Sequence, residues 1–141
     1  MPVRAYTRVM ISKCYCAALR AAARKATDIY DAALAPTGVN IAQFSLLRRI
    51  ERAAPVSLSQ LGRLAELDRS TVGRNVKVLQ RMGLVRVTPG EDHRQATVAL
   101  DDKGAVALSE GAPLWDEAQR RIEAKLGAGG PERLGELLGG L

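Results

Sequence analysis

Aromatic residues are scarce: one Trp, one Phe and three Tyr make up 4% of the chain. A sandwich of strands draws on aromatic and β-branched residues, so a core of that kind is excluded. The Ala- and Leu-rich remainder suits helices packed through small and aliphatic side chains. No apolar run approaches the ~18 to 20 residues that cross a bilayer, and Arg4, Arg8, Lys13 and Arg20 interrupt anything resembling a signal segment. The expectation is a cytoplasmic protein with no membrane partner. Histidine occurs once, as His93, and cysteine twice, as Cys14 and Cys16. Two thiols cannot complete a zinc site, and in the cytoplasm they are expected to be free, so neither metal nor cofactor is expected. A thiol enzyme using Cys16 would need a partner base, and His93 lies far along the chain. There is no phosphate loop and no nucleophile elbow, so an enzyme is not expected.

What is present is cationic and unevenly placed. The 141 residues carry a net charge of +6. Between Arg48 and Arg94 there are ten Lys/Arg against five Asp/Glu, so five of the six net charges lie in that third of the chain. Such a concentration suits a polyanion, although a solvated basic surface would look the same by charge alone.

Helix starts are legible. Asn40-Ile-Ala-Gln43 and Ser57-Leu-Ser-Gln60 are capping boxes, in which the cap oxygen meets the N3 amide and the Gln side chain reaches back. Hydrophobic staples accompany them, Val39 with Phe44 and Val56 with Leu61. Asp68 is a third N-cap, stapled by Leu67 and Val72, and its helix closes at Gly83. Three helices are predicted at about 41–53, 58–66 and 69–82. Before them, small or apolar residues at 16, 19, 23, 26, 30 and 33 mark one stripe of a long helix from Ser12 to Leu34. After them, Leu84 to Thr88 and Ala96 to Leu100 alternate as strands around a turn. Asp101 can cap a long helix to about Leu126, which Pro113 should kink or break. Pro131 starts a last short helix.

This order predicts a mainly α protein with a small β-hairpin wing. A single winged helix-turn-helix domain would fill residues 1–141, with 1–38 and 102–141 as dimerisation helices and 39–101 as the DNA-binding lobe. In the helix opened by Asp68, Val72, Val76, Leu79 and Met82 share one face. Another face carries Arg69, Ser70, Gly73, Arg74 and Lys77, small at its centre and cationic around it. The major groove admits a helix with a slim approaching face, where Arg bonds guanine and Ser, Thr and Asn reach base edges or phosphates. Arg69, Ser70, Thr71, Arg74 and Asn75 are therefore the base-reading candidates, and Ser57, Ser59 and Lys77 the phosphate candidates. An ordinary amphipathic helix with a soluble face is the plainer alternative. The hairpin would reach the flanking minor groove, whose narrow width favours an inserted arginine. Arg94 is the candidate there, held in one direction by Asp92.

With these residues in view, the chain resembles the MarR (multiple antibiotic resistance regulator) family. The likeness rests on the Asp92-His93-Arg94 wing followed by VALDDKG (98–104), and on LSQLGRLAELDRSTVGRNVKVLQRMGLV (58–85). It extends from about Cys14 to Leu126, with Asp101 where the family usually has Thr. The resemblance implies a homodimer whose first and last helices interlock, with each lobe reading half of a palindromic operator on double-stranded DNA. It also implies release by a small phenolic or other organic effector, or by an organic peroxide.

Within the family, Cys16 before Ala-Ala-Leu and Tyr30 fourteen residues later are similar to the organic hydroperoxide sensors, whose two other tyrosine positions are here Arg20 and Ile41. Cys14, Cys16, Arg20 and Tyr30 are thus the ligand or redox candidates. At a helix start beside Lys13 and Arg20, the thiols have the electropositive setting in which cysteines react. Residues i and i+2 of a helix stand about 200° apart, so a Cys14 to Cys16 bridge would require unwinding. Two alternatives stay open: Cys16 as a small core residue, and a helical ligand-binding protein without DNA binding.

Overall fold

The computed structural model describes residues 14–91 and 95–141. In chain order they form α1 (Tyr15–Leu34), a short 3-10 turn (Ala35–Thr37), α2 (Ile41–Ala53), β1 (Val56–Ser57), α3 (Leu58–Ala65), α4 (Arg69–Arg81), β2 (Val85–Thr88), β3 (Thr97–Leu100), α5 (Asp102–Leu126) and α6 (Gly130–Gly139). This is the mainly helical winged-helix plan that the residue pattern predicts. Among the described residues, no helix is long and apolar enough to cross a membrane.

The caps act as their residue types dictate. Both capping boxes form, Asn40 with Gln43 and Ser57 with Gln60, and Asp68 accepts from the Thr71 amide. Gly83 follows α4 at φ 76°, the left-handed conformation that ends a helix, and lets the Leu84 amide turn back to the Leu79 carbonyl at 3.0 Å. The hairpin pairs β2 with β3, Val85 opposite Leu100 and Val87 opposite Val98. A third strand, absent from the sequence reading, pairs Val56 with Val98 and gives the order β1-β3-β2. It fastens the wing to the start of the helix-turn-helix.

The core lies between α2, α3, α4, the sheet and the first half of α5, with Phe44 its largest fully buried side chain. Gly111 lets α5 close on it: a Cβ there would stand 2.6 Å from Phe44 Cε2 and 3.3 Å from Leu34 Cδ2. α1 packs along α5 at the outer side of this core.

Three local expectations are corrected. Of the kink or break expected at Pro113, the break does not occur: α5 runs through the proline, with Leu108, Gly111 and Ala118 buried on either side of it. Asp101 occupies the N-cap position of α5 without a side-chain cap; its carboxylate instead faces Arg86 at 3.8 Å, an exposed pair. The first helix begins later than Ser12, which lies outside the described residues, and Cys14 is its N-cap in extended conformation (φ −161°, ψ 113°), with Sγ accepting from the Ala17 amide at 3.5 Å. Cys14 therefore precedes the helix, and the helical-periodicity argument against a Cys14 to Cys16 bridge does not apply.

Candidate nucleic-acid interface

Alternation of apolar and polar residues orients α4. Val72, Val76 and Leu79 are buried, which turns Arg69, Ser70, Arg74, Asn75 and Lys77 to solvent, with Thr71 and Gly73 half-buried between them. Arg81 extends the cationic row at the C-terminal end. A Cβ at Gly73 would meet nothing within 4 Å, so no contact within the chain requires glycine there. In a helix interior that glycine costs about 1 kcal/mol against alanine. The face is narrow where an approaching surface would need it to be.

The N-terminal turn of α4 is a hydrogen-bonded network centred on Asp68. Its Oδ1 accepts from the Thr71 amide and the Ser70 hydroxyl, each at 2.8 Å, and its Oδ2 accepts from the Thr71 hydroxyl at 2.8 Å. Arg74 Nη2 donates to the Thr71 hydroxyl oxygen at 3.3 Å. The Thr71 amide first, then the two hydroxyls, hold the Asp68 carboxyl down at about 2, with the Arg74 charge a smaller contribution. Three of the candidate positions on this face, Ser70, Thr71 and Arg74, thus carry two hydroxyls and one guanidinium already ordered by a residue read from the sequence only as a cap.

The other candidates are placed less uniformly. Ser57 Oγ accepts from the Gln60 amide and donates to Gln60 Oε1, both at 3.2 Å, so its hydroxyl is committed to the capping box. Ser59 is half-buried in the first turn of α3. Asp92, His93 and Arg94 lie outside the described residues.

The carboxy-terminal end of α4 is tied to α5. Lys103 Nζ donates to the Met82 carbonyl at 2.8 Å and the Asp101 amide to the Leu84 carbonyl at 3.0 Å. Gly104 lies so close under Leu84 that a Cβ would collide with its carbonyl oxygen. These contacts weld the end of α4 to the start of the long helix α5.

On α1 the redox or ligand candidates do not converge. Cys14, Cys16 and Arg20 are exposed at its amino-terminal end, and Tyr30 is half-buried three to four turns away. Among the described residues nothing covers the Cys16 thiol, so it is not part of the core of the single chain. Tyr30 instead joins a cluster that sequence reasoning missed. Its hydroxyl donates to Gln119, its ring stacks on Trp115 with centroids 6.3 Å apart, and the Arg48 guanidinium lies 4.7 Å above Trp115. Burial, then the Glu123 charge, raises the Tyr30 hydroxyl above its usual range. Beside this stack a crevice of about 220 Å³ runs between α2 and α5, lined by Phe44, Arg48, Leu108, Trp115 and the acids Glu51 and Asp116. Among the described residues no group of three His, Cys, Asp or Glu is placed to hold a metal.

Comparison with known proteins agrees with this geometry. A sequence-family profile described as the MarR family matches residues 37–96. Among solved structures, the transcriptional regulator MosR of M. tuberculosis in complex with DNA is 38% identical over 79% of this chain and 82% of that one, with a TM-score of 0.72. A second crystal structure of MosR is 32% identical over 93% of this chain and 99% of that one, with a TM-score of 0.72. A probable transcriptional regulator from Pseudomonas aeruginosa is 27% identical over 92% and 97%, at 0.80. No curated protein sequence matches the chain.

Proposed function

The chain belongs to the MarR family of winged-helix, DNA-binding transcription regulators, and from that premise we propose that it acts as a homodimer reading a palindromic operator through α4. The observation that carries this reading is the exposed, narrow, cationic face of α4, whose opposite face buries Val72, Val76 and Leu79 in the core of the lobe. Arg69, Arg74 and Asn75 reach base edges, Ser59 and Lys77 approach phosphates, and Arg94, oriented by Asp92, enters the adjoining minor groove. Ser57 contributes less than its position suggests, because its hydroxyl is used by Gln60. The relative MosR is described in complex with DNA, which supports the same docking here.

Dimerisation rests on the outer helices. Tyr15 and Leu19 on α1, and Leu134, Leu137 and Leu138 on α6, are 39–79% exposed in the single chain. A second copy would cover them and set two lobes about one helical turn of DNA apart, so that a two-fold protein matches a two-fold operator.

The crevice beside Trp115 supports release by a small organic effector: an aromatic floor and the Arg48 charge suit a phenolic or other aromatic acid, held where α5 meets the lobe. A second reading, release by an organic peroxide, is favoured by the exposure of both Cys14 and Cys16. Titration of the DNA complex with phenolic acids and with an organic hydroperoxide, on wild type and Cys16→Ser, separates the two: oxidant release lost in Cys16→Ser selects the thiol.

The DNA-reading function itself is tested by enriching duplexes from a random pool with the wild-type chain. Arg74→Ala should then cost about 1 to 3 kcal/mol on the enriched sequence and relax preference at one base pair. Failure of the wild type to enrich any sequence would overturn the reading.

A further inference from the structure

We propose that Asp68 is a specificity-determining positioning residue, which fixes the direction of the Arg74 guanidinium through the Thr71 hydroxyl and thereby sets how sharply α4 distinguishes bases. The proposal rests on the reading of Arg74 as a base contact.

The argument begins with proton inventory. An ionised carboxylate only accepts hydrogen bonds, so the Thr71 hydroxyl, 2.8 Å from Asp68 Oδ2, must give its single proton to Asp68. The lone pairs of Thr71 Oγ1 are then turned outward along the helix face. There Arg74 Nη2 meets them at 3.3 Å, one turn further along α4. Without the carboxylate the hydroxyl would be free to rotate, and its proton could point at Arg74 instead of its lone pairs. Asp68 thus makes Thr71 an obligatory acceptor for Arg74.

The network is ordered at its other end as well. Asp68 Oδ1 is held by the Thr71 amide and the Ser70 hydroxyl, so the carboxylate cannot swing away without losing the helix cap. Its charge also attracts Arg74 directly, in agreement with the downward contribution of Arg74 to the Asp68 carboxyl. Ionisation persists across the pH range in which the protein would bind DNA, because the same bonds hold that carboxyl at about 2.

The consequence for recognition follows from the number of donors. A guanidinium has five N–H groups in a rigid fork, and the Thr71 bond uses one of them. The remainder suffices for the two parallel bonds that select guanine, provided the plane of the fork is aimed before contact. A loose arginine would still be drawn to phosphates, which gives affinity with no base preference. Placing a negative charge on a surface meant for a polyanion is unfavourable for affinity as such. It makes sense where discrimination is what the helix has to deliver. Among the described residues Arg74 makes no other side-chain hydrogen bond or ion pair, so this tether is what orders it.

The test uses the full-length chain and duplexes enriched from a random pool by the wild type. Arg74→Ala first identifies the base pair whose preference depends on Arg74. Asp68→Asn retains a side-chain cap and removes the charge. Thr71→Val leaves Asp68 free to cap the helix and removes the link, and Thr71→Ser restores the hydroxyl. Asp68→Asn and Thr71→Val should each lower discrimination at that base pair by about tenfold, within the range of one bidentate base contact. Affinity for scrambled duplex should stay the same or rise, Thr71→Ser should discriminate like wild type, and Asp68→Asn should add no further loss on an Arg74→Ala background. A merely structural cap would instead weaken every base pair and scrambled DNA together. Discrimination retained in both Asp68→Asn and Thr71→Val, or lost evenly across the site, overturns the positioning role while leaving DNA reading intact. An Arg74→Ala chain with wild-type preference at every base pair overturns base reading by Arg74, and the positioning role with it.

Discussion

The lobe formed by α2, α3, α4 and the sheet differs from the outer helices α1 and α6 in what each leaves to solvent. In the lobe, Phe44, Leu47, Ile50, Leu61, Val72, Leu79 and Val98 are all but fully buried, and the face of α4 shows mainly arginine, lysine, serine and asparagine. In the outer helices the proportions reverse: Leu34 is the only buried residue of α1, none is buried in α6, and Tyr15 and Leu137 are 79% and 69% exposed. Both regions are helical and amphipathic, so amphipathicity alone does not say what a helix will meet. The distinction is whether the apolar stripe already has its partner. Where it has, the outward face is polar and free to meet other molecules; where it has not, the stripe itself is left to solvent, as a surface awaiting a partner would be.

The sharpest way to break this contrast is to remove a side chain from each region. Phe44→Ala should destabilise the protein by about 3 to 5 kcal/mol, since the ring fills the space between Gly111 and Leu34 and its loss leaves a cavity. Denaturant melts should show that loss at every protein concentration. Leu137→Glu combined with Leu138→Glu should weaken self-association by about 3 kcal/mol or more while leaving the helical signal of the diluted lobe intact. Sedimentation at several concentrations checks it, and an unchanged dimer would remove α6 from the interface.

Smaller effects sharpen the contrast from the DNA side. Gly73→Ala should raise thermal stability by up to about 1 kcal/mol, because no neighbour opposes the new methyl, and should lower operator affinity by crowding the approach. A gain in both would show that the glycine serves no approaching surface. The smallest effect is the acid limb of the stability curve. Asp68 titrates near 2 when folded against an ordinary value of 3.8, so its contribution is complete above about 4 and is lost as pH falls toward 2. Wild type should therefore exceed Asp68→Asn in Tm at neutral pH, with the gap narrowing over that window; a constant gap would contradict the ionised cap.

Local chemistry was legible in the sequence, and contacts between distant segments were not. Both capping boxes, the Asp68 cap and the Gly83 stop depend on residues within four positions, and each is where the pattern placed it. β1 escaped notice because it is two residues long and is defined by pairing with β3, some forty residues away. The Tyr30, Trp115 and Arg48 stack unites three helices and has no spacing signature. Of the candidate site, the face of α4 was foreseen; the Asp68 to Arg74 relay was not, because it depends on side-chain directions within a turn. The break allowed for at Pro113 failed for the opposite reason, since a strong local signal was outweighed by packing on both sides of it.

Lys103, Asp101 and Gly104 fix the end of α4 to the first turn of α5, and this weld has a mechanical meaning. α5 has 25 residues and is therefore about 37 Å long. Pivoted near its far end, a tilt of about 5° moves the welded end by roughly 3 Å, comparable to one hydrogen-bond length. The long helix is thus a crank arm with the recognition helix bolted to its tip. On the proposed docking, a displacement too small to disturb the packing at the pivot would be enough to lift Arg74 off a base edge.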